Sequence, residues 1–156
     1  MLVLLLSAGD DRYGLDAKDL VEVAPLAELI SLPHVPACVA GLLNYRGAMA
    51  SVLDLRALTR GAPCRRRMST RIVLVRYVCP DGKARPLGLM AERVTGAAEI
   101  DPKTLAPSNL RVDDAPYLGG VWVHDGKTRQ MLKVDLLLPE SLKQSLFAND
   151  QKGEPE

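Results

Sequence analysis

Between Gly41 and Leu55, two apolar runs, Leu42-Leu43 and Ala48 to Leu53, flank the polar segment Asn44-Tyr45-Arg46-Gly47. The pattern predicts a hairpin with both arms buried and the turn outside. Arg46 must either run its stem out to water or find a fixed partner. Gly47 beside it marks a backbone that a side chain would resist, or one pressed close to another surface. Asp54 closes the second arm, where its carboxylate is placed to cap a short helix over Leu55 to Thr59.

The rest of the chain repeats this grammar of short strands and turns. Leu2 to Ser7 is apolar on both faces, Gly9-Asp10-Asp11 is turn chemistry, and Arg12 to Leu15 returns as a second strand. In Leu20-Val21-Glu22-Val23, alternation puts Leu20 and Glu22 on one face and Val21 and Val23 on the other. After Pro25, Leu26 to Leu32 is read as a short edge-like strand, and Ala37 to Ala40 as a single helical turn. Thr59 to Thr70, with Gly61, Pro63 and Arg65-Arg66-Arg67, reads as a linker inside the fold; its three arginines resemble a phosphate contact but are read as a solvated loop.

Strands then resume at Ile72 to Val78, Pro86 to Ala91 and Val94 to Ile100. Asp101 to Asp114 is polar and is read as a loop. Tyr117 to His124 and Thr128 to Val134 form a hairpin across Asp125-Gly126, the clearest two-residue turn in the chain. Asp135 to Phe147 is predicted to be a helix, and residues 148–156 a flexible polar tail. Short strands with few helices predict a mainly β fold of two small five-stranded barrels, SH3- or OB-like. Residues 1–147 form one domain on this reading. Its first subdomain spans about 12–60 and its second about 68–134, which the N-terminal strand 2–7 is available to complete.

Composition narrows function mostly by exclusion. The 156 residues are 47% hydrophobic, enough for a core, yet hold one Phe and one Trp. Net charge is +1, from 20 basic and 19 acidic residues, so charge alone recruits neither nucleic acid nor an anionic membrane. A tandem small-barrel nucleic-acid binder is the alternative reading, but it needs a basic face with interleaved aromatics. No run approaches the roughly 18 apolar residues of a membrane span, so no direct membrane insertion is expected and a cytoplasmic location is. Cys38, Cys64 and Cys79 show no CxxC spacing, and His34 and His124 have no ligand at metal spacing. There is no P-loop, no GxGxxG and no paired-carboxylate signature, so neither a cofactor nor catalysis is expected. Distinctive apolar edges and singly placed charges instead suit a binding module.

The order of motifs resembles the CheW-like domain, the coupling scaffold between bacterial chemoreceptors and the histidine kinase CheA. Tyr13-Gly14-Leu15-Asp16 matches that family's opening hairpin and Leu20-Val21-Glu22-Val23 its "V-x-E-V/I" strand. Leu32-Pro33 followed by Val39-Ala40-Gly41 matches "L-P…V-x-G", Asn44-Tyr45-Arg46-Gly47 matches "N-x-R-G", and Val52-Leu53-Asp54-Leu55 matches "V-x-D-L". In the second half, Leu87 to Val94 is similar to "x-G-(L/I)-x-V-D-x-V", with Ala91-Glu92 in place of the usual Val-Asp, and Tyr117 to Val121 to "Y-L-x-G-V". The resemblance implies two five-stranded subdomains sharing a hydrophobic seam. It also implies a non-catalytic adaptor in chemotaxis or a related chemosensory pathway, associated with membrane receptor arrays through its partners. A chemoreceptor's cytoplasmic tip would meet Leu20, Glu22, Val39 and Arg46. The regulatory domain of a CheA-type kinase would meet Ile72, Leu89, Met90 and Val94.

Overall fold

A computed structural model of the chain describes residues 1–107, 115–140 and 142–143. It is mainly β, with ten strands in two five-stranded sheets. The strands are β1 (Leu2–Ala8), β2 (Asp11–Asp16), β3 (Leu20–Pro25), β4 (Val39–Tyr45), β5 (Ala48–Asp54), β6 (Arg71–Val78), β7 (Ala84–Ala91), β8 (Arg93–Glu99), β9 (Leu118–His124) and β10 (Lys127–Leu132). A short α-helix, α1 (Leu55–Arg60), follows β5.

The first sheet runs β8-β1-β2-β10-β9 and the second β3-β6-β7-β5-β4. This corrects the expected subdomain boundaries. The second sheet takes all its strands from one stretch, β3 to β7, and crosses the supposed linker at 59–70. The first joins the N-terminal hairpin to strands from the end of the chain, so β1 lies between β2 and β8. Backbone pairing, rather than sequence proximity, decides which strands share a sheet.

Local chemistry accounts for the turns. Arg46 (φ 52°) and Gly47 (φ 84°) join β4 to β5, and Asp125 (φ 50°) and Gly126 (φ 74°) join β9 to β10. Two successive positive φ values define the turn whose twist matches that of the flanking strands. The Asp54 carboxylate accepts from the Ala57 N–H at 3.0 Å, capping α1 as its position predicts. It also accepts from the Cys64 N–H at 2.9 Å, tying the segment after the helix back to the strand.

One continuous core joins the sheets, with Leu4, Leu6, Ala8, Tyr13 and Leu15 of the first packed with Val52, Leu53, Ile72, Val73 and Leu89 of the second. This is the expected hydrophobic seam. The other face of β1 lines a small separate core of Val3, Leu5, Trp122 and Met131, with Ala98 of β8 against it. Ala98 and Trp122 belong to the sheet's two edge strands, so the first sheet curls around that core. Gly14 makes room for the tryptophan, because a Cβ there would lie 2.2 Å from Trp122 Cη2.

Three smaller expectations are corrected. Leu26 to Leu32 is not a strand: β3 ends at Pro25, and the segment makes one isolated bridge, Ile30 to Leu42. Ala37-Cys38 is a turn leading directly into β4. Val134–Leu136 forms a 3₁₀ turn and helix begins again only at Glu140, since Pro139 interrupts the predicted helix. The rest of that predicted helix and the tail at 148–156 lie outside the described residues.

Candidate functional site

β3 enters the second sheet from a 3₁₀ turn at Ala17–Asp19, which Asp16 caps by accepting from the Lys18 N–H at 3.1 Å. Along β6, Leu20 pairs with Val75 and Glu22 with Leu74, leaving Val21 as the extra residue of a bulge. The bulge turns Val21 outward, so a residue that simple alternation would place beside Val23 is 48% exposed. Leu20 is half-buried and packs against the main core.

β3 and β4 are opposite edges of the second sheet, yet their side chains meet. Arg46 Nη2 lies 3.7 Å from Glu22 Oε1, and the Arg46 guanidinium sits 5.3 Å from the centre of the Tyr45 ring. Hydrogen bonding to Glu22 raises the Tyr45 hydroxyl above the usual tyrosine range. The sheet has curled until its edges touch, with the Arg46–Gly47 turn resting on β3. Because the Arg46 side chain is 75% exposed, the ion pair is screened by water and adds little stability. It places a charged fork near the β3 edge that carries exposed Val21, with Met49 and Ile30 also half exposed.

Of the expected candidates, Glu22 and Arg46 are brought into contact, and Leu20 lies on the same strand as Glu22 with its side chain packed on the core. Val39 does not join them at the surface: it begins β4 opposite Leu53 and is buried in the core. Tyr45 and Val21 escaped the sequence reading. Tyr45 lay inside the motif that singled out Arg46, while the bulge exposing Val21 has no sequence signal of its own.

The second expected surface needs correcting. Ile72, Leu89 and Met90 are each 0% exposed. Ile72 pairs with Met90 and Val73 with Leu89 on the interior strands β6 and β7, which the core covers on both faces. Apolar character, the basis for choosing them, reflects burial here. Val94 differs: it lies on the edge strand β8, half-buried, opposite Leu6.

Nothing in this arrangement suggests bond-making chemistry. Cys64 donates to the Met90 carbonyl at 3.5 Å, and burial pushes its thiol up to about 12, far from a reactive thiolate. Among the described residues no three His, Cys, Asp or Glu side chains gather where they could hold a metal ion.

The model of the CheW-like domain matches residues 2–142. The chain belongs to the CheW-like domain family. It is 23% identical over 133 residues to the chemotaxis protein CheW of Rhizobium meliloti (strain 1021), covering 84% of this chain and 83% of that protein. Protein FrzA of Myxococcus xanthus is 32% identical over 108 residues, which is 69% of this chain and 64% of FrzA. The crystal structure of the scaffolding protein TtCheW from Thermoanaerobacter tengcongensis superposes with a TM-score of 0.78 at 24% identity, over 88% of this chain and 87% of that one. CheW-like proteins are non-catalytic scaffolds of chemotaxis and related chemosensory pathways, and this chain is one of them. Among its described residues no helix is long and apolar enough to cross a membrane.

Proposed function

We propose that the chain couples chemoreceptors to a CheA-type histidine kinase, holding both without acting on either. The receptor's cytoplasmic tip docks along the Leu20–Glu22 edge and the Arg46 turn. The kinase's regulatory domain docks on the first sheet at the β8 edge, around Val94. The adaptor works at the cytoplasmic side of membrane receptor arrays and is held there by its partners.

The observation that carries this reading is the contact of Glu22, Tyr45 and Arg46 where the two sheet edges meet. It presents a preorganised carboxylate, phenol and guanidinium beside exposed Val21. Polar groups of fixed orientation around apolar anchors are what a specific, reversible partner surface requires. Receptor state would then reach the kinase as a change in the geometry in which the two are held.

Pull-downs with a receptor cytoplasmic hairpin and, separately, with a kinase regulatory domain test the proposal. Wild type binds both, Arg46→Ala loses the receptor, and Val94→Asp loses the kinase alone. Arg46→Lys keeps the charge but not the fork, and binds receptor more weakly than wild type. A folded wild-type chain that captured neither partner would overturn the reading.

A further inference from the structure

Between the first sheet and the α1 segment, away from the Glu22–Arg46 edge, lies a polar cavity of about 700 Å³. It is walled by the β1–β2 turn, the start of β8, part of β10, α1 and the segment after α1. Eight Arg or Lys side chains line it against three carboxylates, and no aromatic side chain does. The whole chain carries only +1, so this excess is local.

Two of the eight cations are matched. Arg60 grips Asp11 through two hydrogen bonds of 2.7 Å, and Arg56 lies 3.9 Å from Glu92. Glu92 is further occupied by the backbone N–H groups of Arg65 and Gly9. The other six, Arg12, Arg65, Arg67, Arg93, Lys127 and Arg129, have no carboxylate within 4.0 Å among the described residues.

Arg129 is the most telling. It is 92% buried by its 8% exposure, its Nη1 donates only to the carbonyls of Tyr13 (3.1 Å) and Leu6 (3.4 Å), and its Nε has no partner. Burial first, and then the like charge of Arg12, press its pKa below the usual arginine value. Only the more distant charge of Asp125 opposes this. A buried guanidinium with no ion-pair partner is costly, and like charges crowded around one cavity add to the cost. An anion in the cavity removes both penalties.

We propose that this cavity binds a small phosphorylated molecule carrying at least two phosphate groups. Guanidinium forks match phosphate oxygens in pairs, and a cleft lined by one sign of charge concentrates anions. The volume falls in the range of about 300–1,000 Å³ usual for small-molecule sites. The lack of aromatic walls argues against a single-stranded nucleic acid, which stacks its bases. A second cavity of about 440 Å³ shares Arg12, Arg60 and Arg129 with the first and is also lined by Tyr13 and Tyr117, so an organic portion of the ligand has adjoining space.

Isothermal titration with inorganic pyrophosphate, and separately with ADP, tests the assignment, chloride holding ionic strength constant. Saturable one-to-one binding is expected. The double variant Arg67→Gln/Arg93→Gln, two exposed side chains with no ion pair to lose, weakens it at least tenfold, since it removes two charge-assisted donors to the phosphates. Arg129→Gln weakens it too, provided circular dichroism shows the variant folded. ADP tighter than pyrophosphate identifies a nucleotide, and equal affinity identifies a ligand read through its phosphates alone. Absence of saturation, or affinity unchanged in the double variant, overturns the proposal. So does a glutamate-rich peptide that binds the cavity where pyrophosphate does not, which would make it a protein-docking cleft.

Discussion

The two sheets have the same wiring, entered at different points. In the second, β3 lies beside the hairpin β6–β7, β7 runs parallel to β5, and β5 pairs back with β4. In the first, β8 lies beside the hairpin β1–β2, β2 runs parallel to β10, and β10 pairs back with β9. Reading the chain as a circle, β8-β9-β10-β1-β2 repeats β3-β4-β5-β6-β7. The details follow the same correspondence. Ile30 bridges to β4 and Ala106 to β9, and the glycine just before each bridged residue, Gly41 and Gly120, lets that segment approach. What differs is filling and finish. The first sheet closes on its own small core around Trp122, whereas the second shares its core with its neighbour and closes its edges with an exposed charged contact. The same wiring thus yields a stabilising half and a half with a presentable edge.

The sharpest test of that contrast compares Gly14 with its counterpart Gly88, each on the strand that runs parallel to its neighbour. A Cβ on Gly14 would lie 2.2 Å from Trp122 Cη2 and 2.7 Å from Val3 Cγ1, whereas one on Gly88 meets Val52 Cγ2 at 2.8 Å and Ile72 Cγ2 at 3.1 Å. Gly14→Ala is expected to destabilise by about 3 kcal/mol, the upper end of overpacking, and Gly88→Ala by about half as much. Urea denaturation measures both, and equal losses would erase the distinction between the two cores.

The bridging glycines give the next effect. Gly41 combines φ 146° with a would-be Cβ only 2.5 Å from the Ile30 carbonyl oxygen, whereas at Gly120 the corresponding distance, to Ala106 O, is 3.1 Å. Gly41→Ala should cost about 2 kcal/mol through strain and a displaced bridge, and Gly120→Ala under about 1 kcal/mol. Thermal unfolding of the pair decides it, and a costlier Gly120→Ala would contradict the correspondence drawn between the two bridges.

Much of this was legible in the residues. The turns at Arg46-Gly47 and Asp125-Gly126, the cap at Asp54 and the two-faced apolar β1 all follow from local chemistry. The allotment of strands to sheets was not, because it rests on pairings such as Leu4 with Ala97, whose partners are far apart in the chain. Buried strands also mislead in a particular way. Ile72, Leu89 and Met90 look like a docking face because a strand covered on both sides shows continuous apolar character with no polar alternation to mark its solvent side. The candidate site was half legible: resemblance named Glu22 and Arg46, but nothing in the sequence says that they touch. Likewise Arg65 and Arg67 read as a solvated run until the fold set them beside Arg12, Arg93 and Arg129.

The seam between the sheets carries a smaller, pH-dependent effect. Burial raises Glu92, but the backbone N–H groups of Arg65 and Gly9 and the charge of Arg56 outweigh it and hold its carboxyl below the usual glutamate range. Asp11 is held low by its hydrogen bonds to Arg60. Gly9 and Asp11 belong to the first sheet's hairpin, whereas Arg56, Arg60 and Arg65 lie in and after α1, so both carboxylates tie the two halves together. A depressed folded pKa stabilises fully above the unfolded value, and that stability is lost as pH falls through the folded one. Stability should therefore drop on acidification below the ordinary carboxylate range. Glu92→Gln should cost about 1–2 kcal/mol at pH 7 and flatten that acid slope. Chemical denaturation across pH 3–7 checks this, and an unchanged slope would remove Glu92 from the seam.

The smallest expected effect on stability bears most on function. Arg46 and Asp125 occupy the same position in equivalent turns, at φ 52° and 50°. Asp tolerates that left-handed conformation, whereas a long side chain bears a cost of about 1–2 kcal/mol there. Turn chemistry alone would therefore place Asn or Asp at 46 as well. The Glu22 contact is too exposed to compensate through stability, so the arginine is better explained by what it presents at the edge than by what it adds to the fold. Arg46→Asn should leave the melting temperature unchanged or slightly raised, while capture of the receptor hairpin falls sharply. Asp125→Asn, its counterpart in the first sheet, should alter neither. If Arg46→Asn instead lowered the melting temperature while receptor capture stayed intact, the second sheet's edge would be a structural clasp, and its difference from the first would be one of construction only.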